Sequence, residues 1–265
     1  MVPNTSEDAL LVLAHGAPAG DFNARVARMM DRVQWEGPKG IAFMMPLTPD
    51  EELGEVAARL DRGGVRRIIL VPLLISSFSE HYEEVRYFAG LRPDRPAVLE
   101  HADDPPLSTK ARLVVTKAMD SHPLLTRILE DQAREASKSP SGESLILVAH
   151  GPTEDPDNEI WLDHLRIHAE HLKRVIGFRR VEATTLRHDA PQAVKDAAVA
   201  KMRAIVTAAA ADSRVIIQPV LISVSHVQQE IAESLAGLCF EMSKSGVSGH
   251  PLTLEWIREQ ALAAN

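Results

Sequence analysis

The 265-residue sequence contains one cysteine, few aromatic residues and no apolar run long enough to cross a membrane. Because Cys239 is alone, an intramolecular disulfide framework and a cysteine-rich metal site are excluded. Its neighbours Leu238 and Phe240 predict a buried structural thiol. No signal peptide is recognised and no apolar run approaches about 18 residues, so we expect a cytoplasmic protein with no membrane partner.

Several cofactor and catalytic motifs are also missing from the sequence. There is no Gly-x-Gly-x-x-Gly after a strand, no Gly-Lys-Ser/Thr phosphate loop, no Gly-x-Ser-x-Gly elbow and no His-Glu-x-x-His. Nucleotide cofactors, serine hydrolysis and zinc proteolysis therefore lose most of their support. The net charge of −8 argues against a nucleic-acid partner.

What the sequence does contain is a repeat. Residues Leu10–Gly16 read LLVLAHG and residues Leu145–Gly151 read LILVAHG, which places His15 and His150 at matching ends of two apolar runs. Such runs are typical of strands that are buried on both faces of a parallel sheet. A histidine alone at a strand end is compatible with a purely structural role, in which it satisfies backbone groups beside a tight glycine turn.

A second pair of landmarks follows in the same order. Ile68–Ser76 (IILVPLLIS) corresponds to Val215–Ser223 (VIIQPVLIS), and each run is followed by a histidine at a predicted helix start, His81 or His226. Landmarks repeated in the same order indicate an internal duplication with one histidine-bearing site in each half.

The alternation of strands and helices predicts an α/β protein made of two tandem-repeated, doubly wound parallel-sheet lobes. We expect domains at residues 1–136 and 145–265, joined by a linker at residues 137–144 that is rich in Ser, Lys, Pro and Gly. Strands are predicted at Leu10–Ala14, Ile41–Met45, Ile68–Ile75, Leu113–Val115, Leu145–Ala149, Val181–Thr185 and Val215–Ile222.

Sites in such sheets form beyond the carboxyl ends of the strands, where His15 and His81 are both expected. A carboxylate, Glu84, follows His81 by one helical turn, as Glu230 follows His226 in the second half. Two imidazoles and a carboxylate form an open site for a divalent ion such as Fe, Co, Ni or Zn. The alternative is that these glutamates are ordinary acids of a first helical turn.

Five further histidines have structural interpretations. His164, His168 and His171 share one helix face that borders an apolar stripe, and a half-buried flank explains them better than a metal site does. His122 and His250 each precede a proline at a helix start and are interpreted as structural.

At these residues the chain resembles the class II tetrapyrrole chelatases, specifically the CbiX-like sirohydrochlorin cobaltochelatases and ferrochelatases. The resemblance rests on Leu11–Pro18 (LVLAHGAP), on Val71–Ser76 (VPLLIS) followed by a histidine, and on the His-Pro-Leu helix starts. The chain departs from the family pattern at Ser76–Glu80, a loop that is longer and lacks the family's glycine, and at the shorter loop of residues 223–225.

The resemblance implies insertion of Co²⁺ or Fe²⁺ into sirohydrochlorin or a related acidic tetrapyrrole, in cobalamin or siroheme biosynthesis. A divalent metal (cobalt, iron or nickel) would be a substrate, and no nucleotide would be needed. We expect a monomer or homodimer. The alternative, motivated by the altered loop at Ser76–Glu80, is a non-catalytic protein that binds metal or tetrapyrrole on a chelatase fold.

The same resemblance suggests roles for the site residues. The predicted metal ligands are His15, His81, His150 and His226. We expect His15, His81 and Glu84 to be catalytic, because the first lobe has more carboxylates around its second histidine. Arg187 and His188 of the second lobe are expected to bind carboxylates of the substrate.

Overall fold

The computed structural model describes residues 7–17, 21–96, 105–223 and 226–264. Within them, parallel strands alternate with helices, and the strands form two four-stranded sheets. Three residues of the sequence motifs, Pro18, Val224 and Ser225, lie outside the described part of the chain.

The first sheet has the strand order β2-β1-β3-β4, so the strand that ends in His15 is an inner one. Its elements are β1 (Asp8–Gly16), α1 (Phe22–Asp31), β2 (Lys39–Met45), α2 (Leu53–Arg62), β3 (Arg67–Leu73), α3 (Glu80–Phe88) and β4 (Arg112–Val115). A short 3-10 turn at Pro49–Glu51 precedes α2.

The second sheet repeats this plan with the order β6-β5-β7-β8. Its elements are α4 (Pro123–Ala136), β5 (Glu143–Ala149), α5 (Asp155–Ile176), β6 (Arg180–Thr185), α6 (Gln192–Ala210), β7 (Arg214–Val220), α7 (His226–Ser234) and β8 (Glu241–Met242). The last helix, α8, spans Pro251–Ala263.

Both inner strands are buried on both faces, as their apolar sequences require. Residues Ala9–Ala14 of β1 and Leu145–Ala149 of β5 are all 0–1% exposed. Helices cover each face of a sheet, and an apolar strand between two such layers removes all its side chains from water. The predicted α/β fold with two parallel, doubly wound lobes is confirmed.

The chain divides into two compact units whose boundaries differ from the predicted domains. Unit 1 comprises the described residues up to Met119 and those from Thr253 onward, and unit 2 runs from Asp120 to Leu252. Helix α4, predicted to close the first domain, thus belongs to unit 2, and most of α8 belongs to unit 1. An amphipathic stripe fits either sheet, so sequence order alone does not assign such a helix to its unit.

The predicted linker at residues 137–144 lies inside unit 2 and connects α4 to β5. Glu143 organises it, because the buried carboxylate accepts hydrogen bonds from Ser137 Oγ at 2.5 Å, Lys138 N at 3.0 Å and Ser139 N at 3.1 Å. Burial alone would raise the pKa of Glu143, but these bonds and the guanidinium of Arg214 hold that pKa below its usual range.

The prediction of a buried thiol at Cys239 is wrong, because this side chain is exposed. Leu238 and Phe240 pack on the core of unit 2, and the residue between two inward-facing neighbours in an extended segment points outward. None of the described helices is long and apolar enough to cross a membrane.

Candidate functional site

Each histidine at a strand end is followed by a glycine that no other residue can replace without strain. Gly16 has φ +86°, and a Cβ there would lie 2.6 Å from the carbonyl oxygen of Met45. Gly151 has φ +77°, and its Cβ would lie 2.6 Å from Cβ of Thr185. Left-handed backbone and a close neighbour both require glycine, so the His-Gly pair is a geometric unit.

The turn also sets the tautomer of the histidine before it. Nδ1 of His15 lies 3.1 Å from the carbonyl oxygen of Gly16, and Nδ1 of His150 lies 3.0 Å from that of Gly151. Because a carbonyl oxygen can only accept, Nδ1 carries the proton in each ring. The lone pair of the neutral ring is then on Nε2, the atom that can bind a metal ion.

In unit 1 the structure brings His81 to His15. Their ring centroids are 4.3 Å apart and the rings meet edge to face. His81 lies in the first turn of α3, after β3, and β3 pairs directly with β1. The two imidazoles therefore share the carboxyl ends of neighbouring strands.

A buried carboxylate, that of Glu84, contacts the second histidine of this pair. Oε2 of Glu84 lies 3.0 Å from Nδ1 of His81, and the Glu84 side chain is 5% exposed. The carboxylate accepts the Nδ1 proton and directs the other ring nitrogen outward. Glu84 is thus placed to orient His81, not to contact an ion bound by Nε2.

The loop before α3, which differs from the family pattern, is held in place by hydrogen bonds to its own serine hydroxyl groups. Ser76 Oγ accepts from Phe78 N at 3.1 Å, and Ser77 Oγ accepts from Ala118 N at 2.9 Å. Ser79 caps α3 by accepting from Tyr82 N at 3.3 Å. The hydroxyl groups therefore organise a loop that lacks the family's glycine.

A repeated asparagine was missed in the sequence, although its spacing is visible there. Asn23 and Asn158 each follow a strand-end histidine by eight residues. The buried Asn23 accepts from Ala17 N at 3.1 Å and donates to Met45 O at 3.1 Å, which joins the loop after β1 to the end of β2. Asn158 accepts from Thr185 Oγ1 at 2.7 Å, at the end of β6. Asn23 therefore holds the loop after β1 against β2, and Asn158 joins α5 to the end of β6.

Unit 2 gathers a different set of side chains around His150. Among the described residues, His150, His188 and Asp189 form a group whose possible ligand atoms all lie within 4.8 Å of one another. Nε2 of His150 is 3.4 Å from Oδ2 of Asp189, and Nε2 of His188 is 3.7 Å from Oδ1. Asp189 had not been predicted, although it follows His188 beyond the carboxyl end of β6.

His226, the predicted partner of His150, is exposed and is not part of that group of described residues. The ring of His188 lies next to both, with centroid distances of 5.2 Å to His150 and 5.3 Å to His226. The ring next to the strand-end histidine thus comes from the loop after β6 in unit 2 and from α3 in unit 1.

The carboxylate of Glu230 lies next to the ring of His188. Its carboxylate is in close contact with Nδ1 of His188 and lies 2.5 Å from Nζ of Lys195. Burial alone would raise the pKa of Glu230, but the hydrogen bond from Lys195 and the charge of a protonated His188 lower it below its usual value. Glu230 therefore faces His188 from α7, as Glu84 faces His81 from α3.

The guanidinium of Arg187 donates to acceptors in the loop after β5 and the first turn of α5. Arg187 is 6% exposed, has φ +56°, and donates to Pro152 O at 2.8 Å, to Thr153 O and to Asp155 at 2.5 Å. A guanidinium committed to these acceptors ties down the loop after β5. We therefore propose a positioning role for Arg187 in place of the predicted contact with substrate carboxylates.

The remaining histidines have structural contacts. His168 is fully buried, with Nδ1 2.7 Å from Thr126 Oγ1 and Nε2 3.1 Å from Asp120 O, and burial lowers its pKa to about 4. His171 pairs with Glu130 at 2.9 Å. The helix-start residues His122 and His250 accept from the backbone N–H of Leu124 and Leu252.

Three solved structures are similar to this chain over nearly its whole length. SirB from Bacillus subtilis, solved with Fe³⁺, matches with a TM-score of 0.66 at 16% identity over 96% of this chain and 95% of its own. DR2241 from Deinococcus radiodurans, a multi-domain protein described as structurally similar to chelatases, matches with a TM-score of 0.61 at 17% identity over 98% of this chain and 55% of its own.

CbiX, the terminal enzyme for siroheme biosynthesis in denitrifying bacteria, matches with a TM-score of 0.54 at 18% identity over 95% of this chain and 97% of its own. At these identities the matches show the shared fold. No curated relative matches the chain.

The two four-stranded parallel sheets give the chain the fold of these chelatase-like structures. Residues 9–136 match the model of the CbiX family. The predicted resemblance to CbiX-like chelatases is confirmed over this part of the chain. The matched residues contain His15, His81 and Glu84.

Proposed function

We propose that the chain inserts a divalent ion, Co²⁺ or Fe²⁺, into sirohydrochlorin or a related acidic tetrapyrrole at the site of unit 1. The observation that carries the proposal is the contact of His15 with His81, 4.3 Å between ring centroids, inside the part of the chain that matches the CbiX family. The relative solved with Fe³⁺ is consistent with iron as one candidate substrate.

The reaction determines what such a site must supply. A free tetrapyrrole carries two inner N–H protons, and insertion of one divalent ion releases both. The protein must hold a partly desolvated ion with open coordination positions and provide groups that accept protons near neutral pH. Neutral imidazoles meet both requirements.

In this proposal, particular atoms of unit 1 carry out these tasks. The tautomer set by Gly16 directs the lone pair of His15 to Nε2, and the carboxylate of Glu84 does the same for His81. Two imidazole ligands leave most of the coordination sphere of the ion available to the ring nitrogens. Weak, incomplete ligation by the protein favours transfer of the ion to the macrocycle.

The test is a metallation assay with purified protein, sirohydrochlorin and either Co²⁺ or Fe²⁺, followed by the change in absorption. We expect a rate well above the uncatalysed control, lost in His15→Ala and in His81→Ala and reduced less in His150→Ala. A rate equal to the control with each metal would overturn the proposal. Tight metal or tetrapyrrole binding without turnover would instead favour the non-catalytic alternative.

A further inference from the structure

We propose that unit 2 holds a divalent ion of its own, bound by Nε2 of His150, Nε2 of His188 and the carboxylate of Asp189. This site is separate from the transfer site in unit 1 and uses residues of unit 2 alone. The ion would be resident, retained by the protein and not passed on to a tetrapyrrole.

The distances within the group are those of ligands that share an ion. Asp189 lies 3.4 Å and 3.7 Å from the two Nε2 atoms, which is long for a hydrogen bond. Ligand atoms at about 2.0–2.2 Å from a tetrahedral ion are separated by about 3.3–3.6 Å. The two oxygens of the Asp189 carboxylate, Oδ2 toward His150 and Oδ1 toward His188, therefore already lie at nearly the spacing from the two Nε2 atoms that an ion would impose, and the ligand atoms of all three side chains lie within 4.8 Å of one another.

In both imidazoles, Nδ1 lies next to an oxygen atom that can accept a hydrogen bond. Nδ1 of His150 lies 3.0 Å from Gly151 O, and Nδ1 of His188 contacts Glu230. A histidine that donates from one ring nitrogen to a carbonyl presents the other as a metal ligand, as His150 does, and the carboxylate in contact with Nδ1 of His188 favours the same tautomer. The nearby cation, Lys195, is paired with Glu230 at 2.5 Å, which offsets its repulsion of a metal ion.

The ligand set also indicates which ions fit and how firmly they are held. Two imidazoles and one carboxylate with open positions suit Fe²⁺, Co²⁺, Ni²⁺ or Zn²⁺. In unit 1 the carboxylate of Glu84 stands behind a histidine, whereas in unit 2 the carboxylate of Asp189 faces both Nε2 atoms. Three direct ligands in place of two predict tighter retention in unit 2.

The experiment is equilibrium dialysis of the full chain against Co²⁺ alone, with bound ions counted per chain. We expect Asp189→Asn to lose one bound ion relative to wild type. Asp196→Asn, a matched control, removes an exposed carboxylate of the same unit outside the group and should lose none. The Asp189 side chain is 45% exposed, so its amide variant is expected to fold, which circular dichroism checks.

Two further variants sharpen the assignment. Glu230→Gln should lower the affinity for that ion by about 10–100-fold, because it weakens the support behind His188. A double variant, His15→Ala with His81→Ala, should keep the ion that Asp189→Asn loses. Equal ion counts in Asp189→Asn and wild type, or loss of the same ion in the double variant, would overturn this proposal. Absence of metallation in the tetrapyrrole assay would overturn only the proposed function.

Discussion

Oε2 of Glu84 lies 3.0 Å from Nδ1 of His81, the residue one turn before it in α3. Almost all of the Glu84 side chain is buried. The pair places the buried carboxylate of Glu84 against the imidazole of His81, which lies at the carboxyl ends of the strands. Removal of the buried carboxylate allows a sharp test, because it changes the orientation and basicity of one imidazole.

We expect Glu84→Gln to reduce the metallation rate by about 10–100-fold while the protein stays folded. The amide keeps the shape of the side chain but removes the charge that supports His81. Glu83→Gln is the matched control, since Glu83 pairs instead with Arg86 and Arg92 at 3.0 Å and 2.8 Å. Equal losses in the two variants would show that His81 does not depend on Glu84.

The His-Gly turn of unit 1 predicts a difference between two glycine variants. Gly16→Ala and Gly64→Ala both force alanine into left-handed backbone, which costs about 1–2 kcal/mol. A Cβ at Gly64 meets nothing within 4 Å, whereas one at Gly16 meets Met45 O at 2.6 Å. Urea unfolding should therefore show a larger loss for Gly16→Ala, accompanied by loss of metallation. Equal losses would mean that the turn relaxes without strain.

For Arg187 the structure predicts an effect on stability and not on substrate affinity. Arg187→Ala leaves the carbonyl groups of Pro152 and Thr153 without this donor and should cost about 1–3 kcal/mol in unfolding free energy. Arg180→Ala, which removes an exposed ion pair with Asp212, should cost about 0–1 kcal/mol. A raised KM for the tetrapyrrole in Arg187→Ala with unchanged unfolding would restore the substrate-binding role.

His168 predicts a dependence of stability on pH. Burial lowers its pKa from 6.5 to about 4 in the folded chain, so below pH 6.5 the unfolded state binds a proton that the folded state does not. Stability therefore falls as the pH decreases from 6.5 to 4, and between pH 7 and pH 5 the loss amounts to about 2 kcal/mol. His168→Gln should lose about that much less over the same range in urea unfolding. Parallel curves for the two proteins would contradict this.

Much of unit 1 could be predicted because its signals are local in the sequence. The apolar runs specified the strands, the strand ends placed His15 and His150, and helical spacing put Glu84 on the same face as His81. These inferences need only the periods of strands and helices and the rule that sites lie at carboxyl ends of parallel strands.

The group in unit 2 was harder to predict because it depends on loop geometry. The duplication pairs His226 with His81, yet His188 and Asp189 are the residues grouped with His150. Arg187 takes a left-handed conformation and anchors the turn after β6, and nothing in the sequence pattern specifies a positive φ at an arginine. The direction of His188 follows from that turn.

The assignment of α8 to unit 1 has a consequence for the order in which the protein is made. The strands of the first sheet are translated before unit 2, but the helix that carries the fully buried Trp256 and Ile257 is translated after it. At about 5–20 residues per second, the intervening unit 2 delays that helix by about 7–27 s. The apolar groups of unit 1 that bury Trp256 and Ile257 therefore stay uncovered during that time, while unit 2, which is continuous in sequence, can already fold. Unit 1 can complete its folding only after the whole of unit 2 has been made.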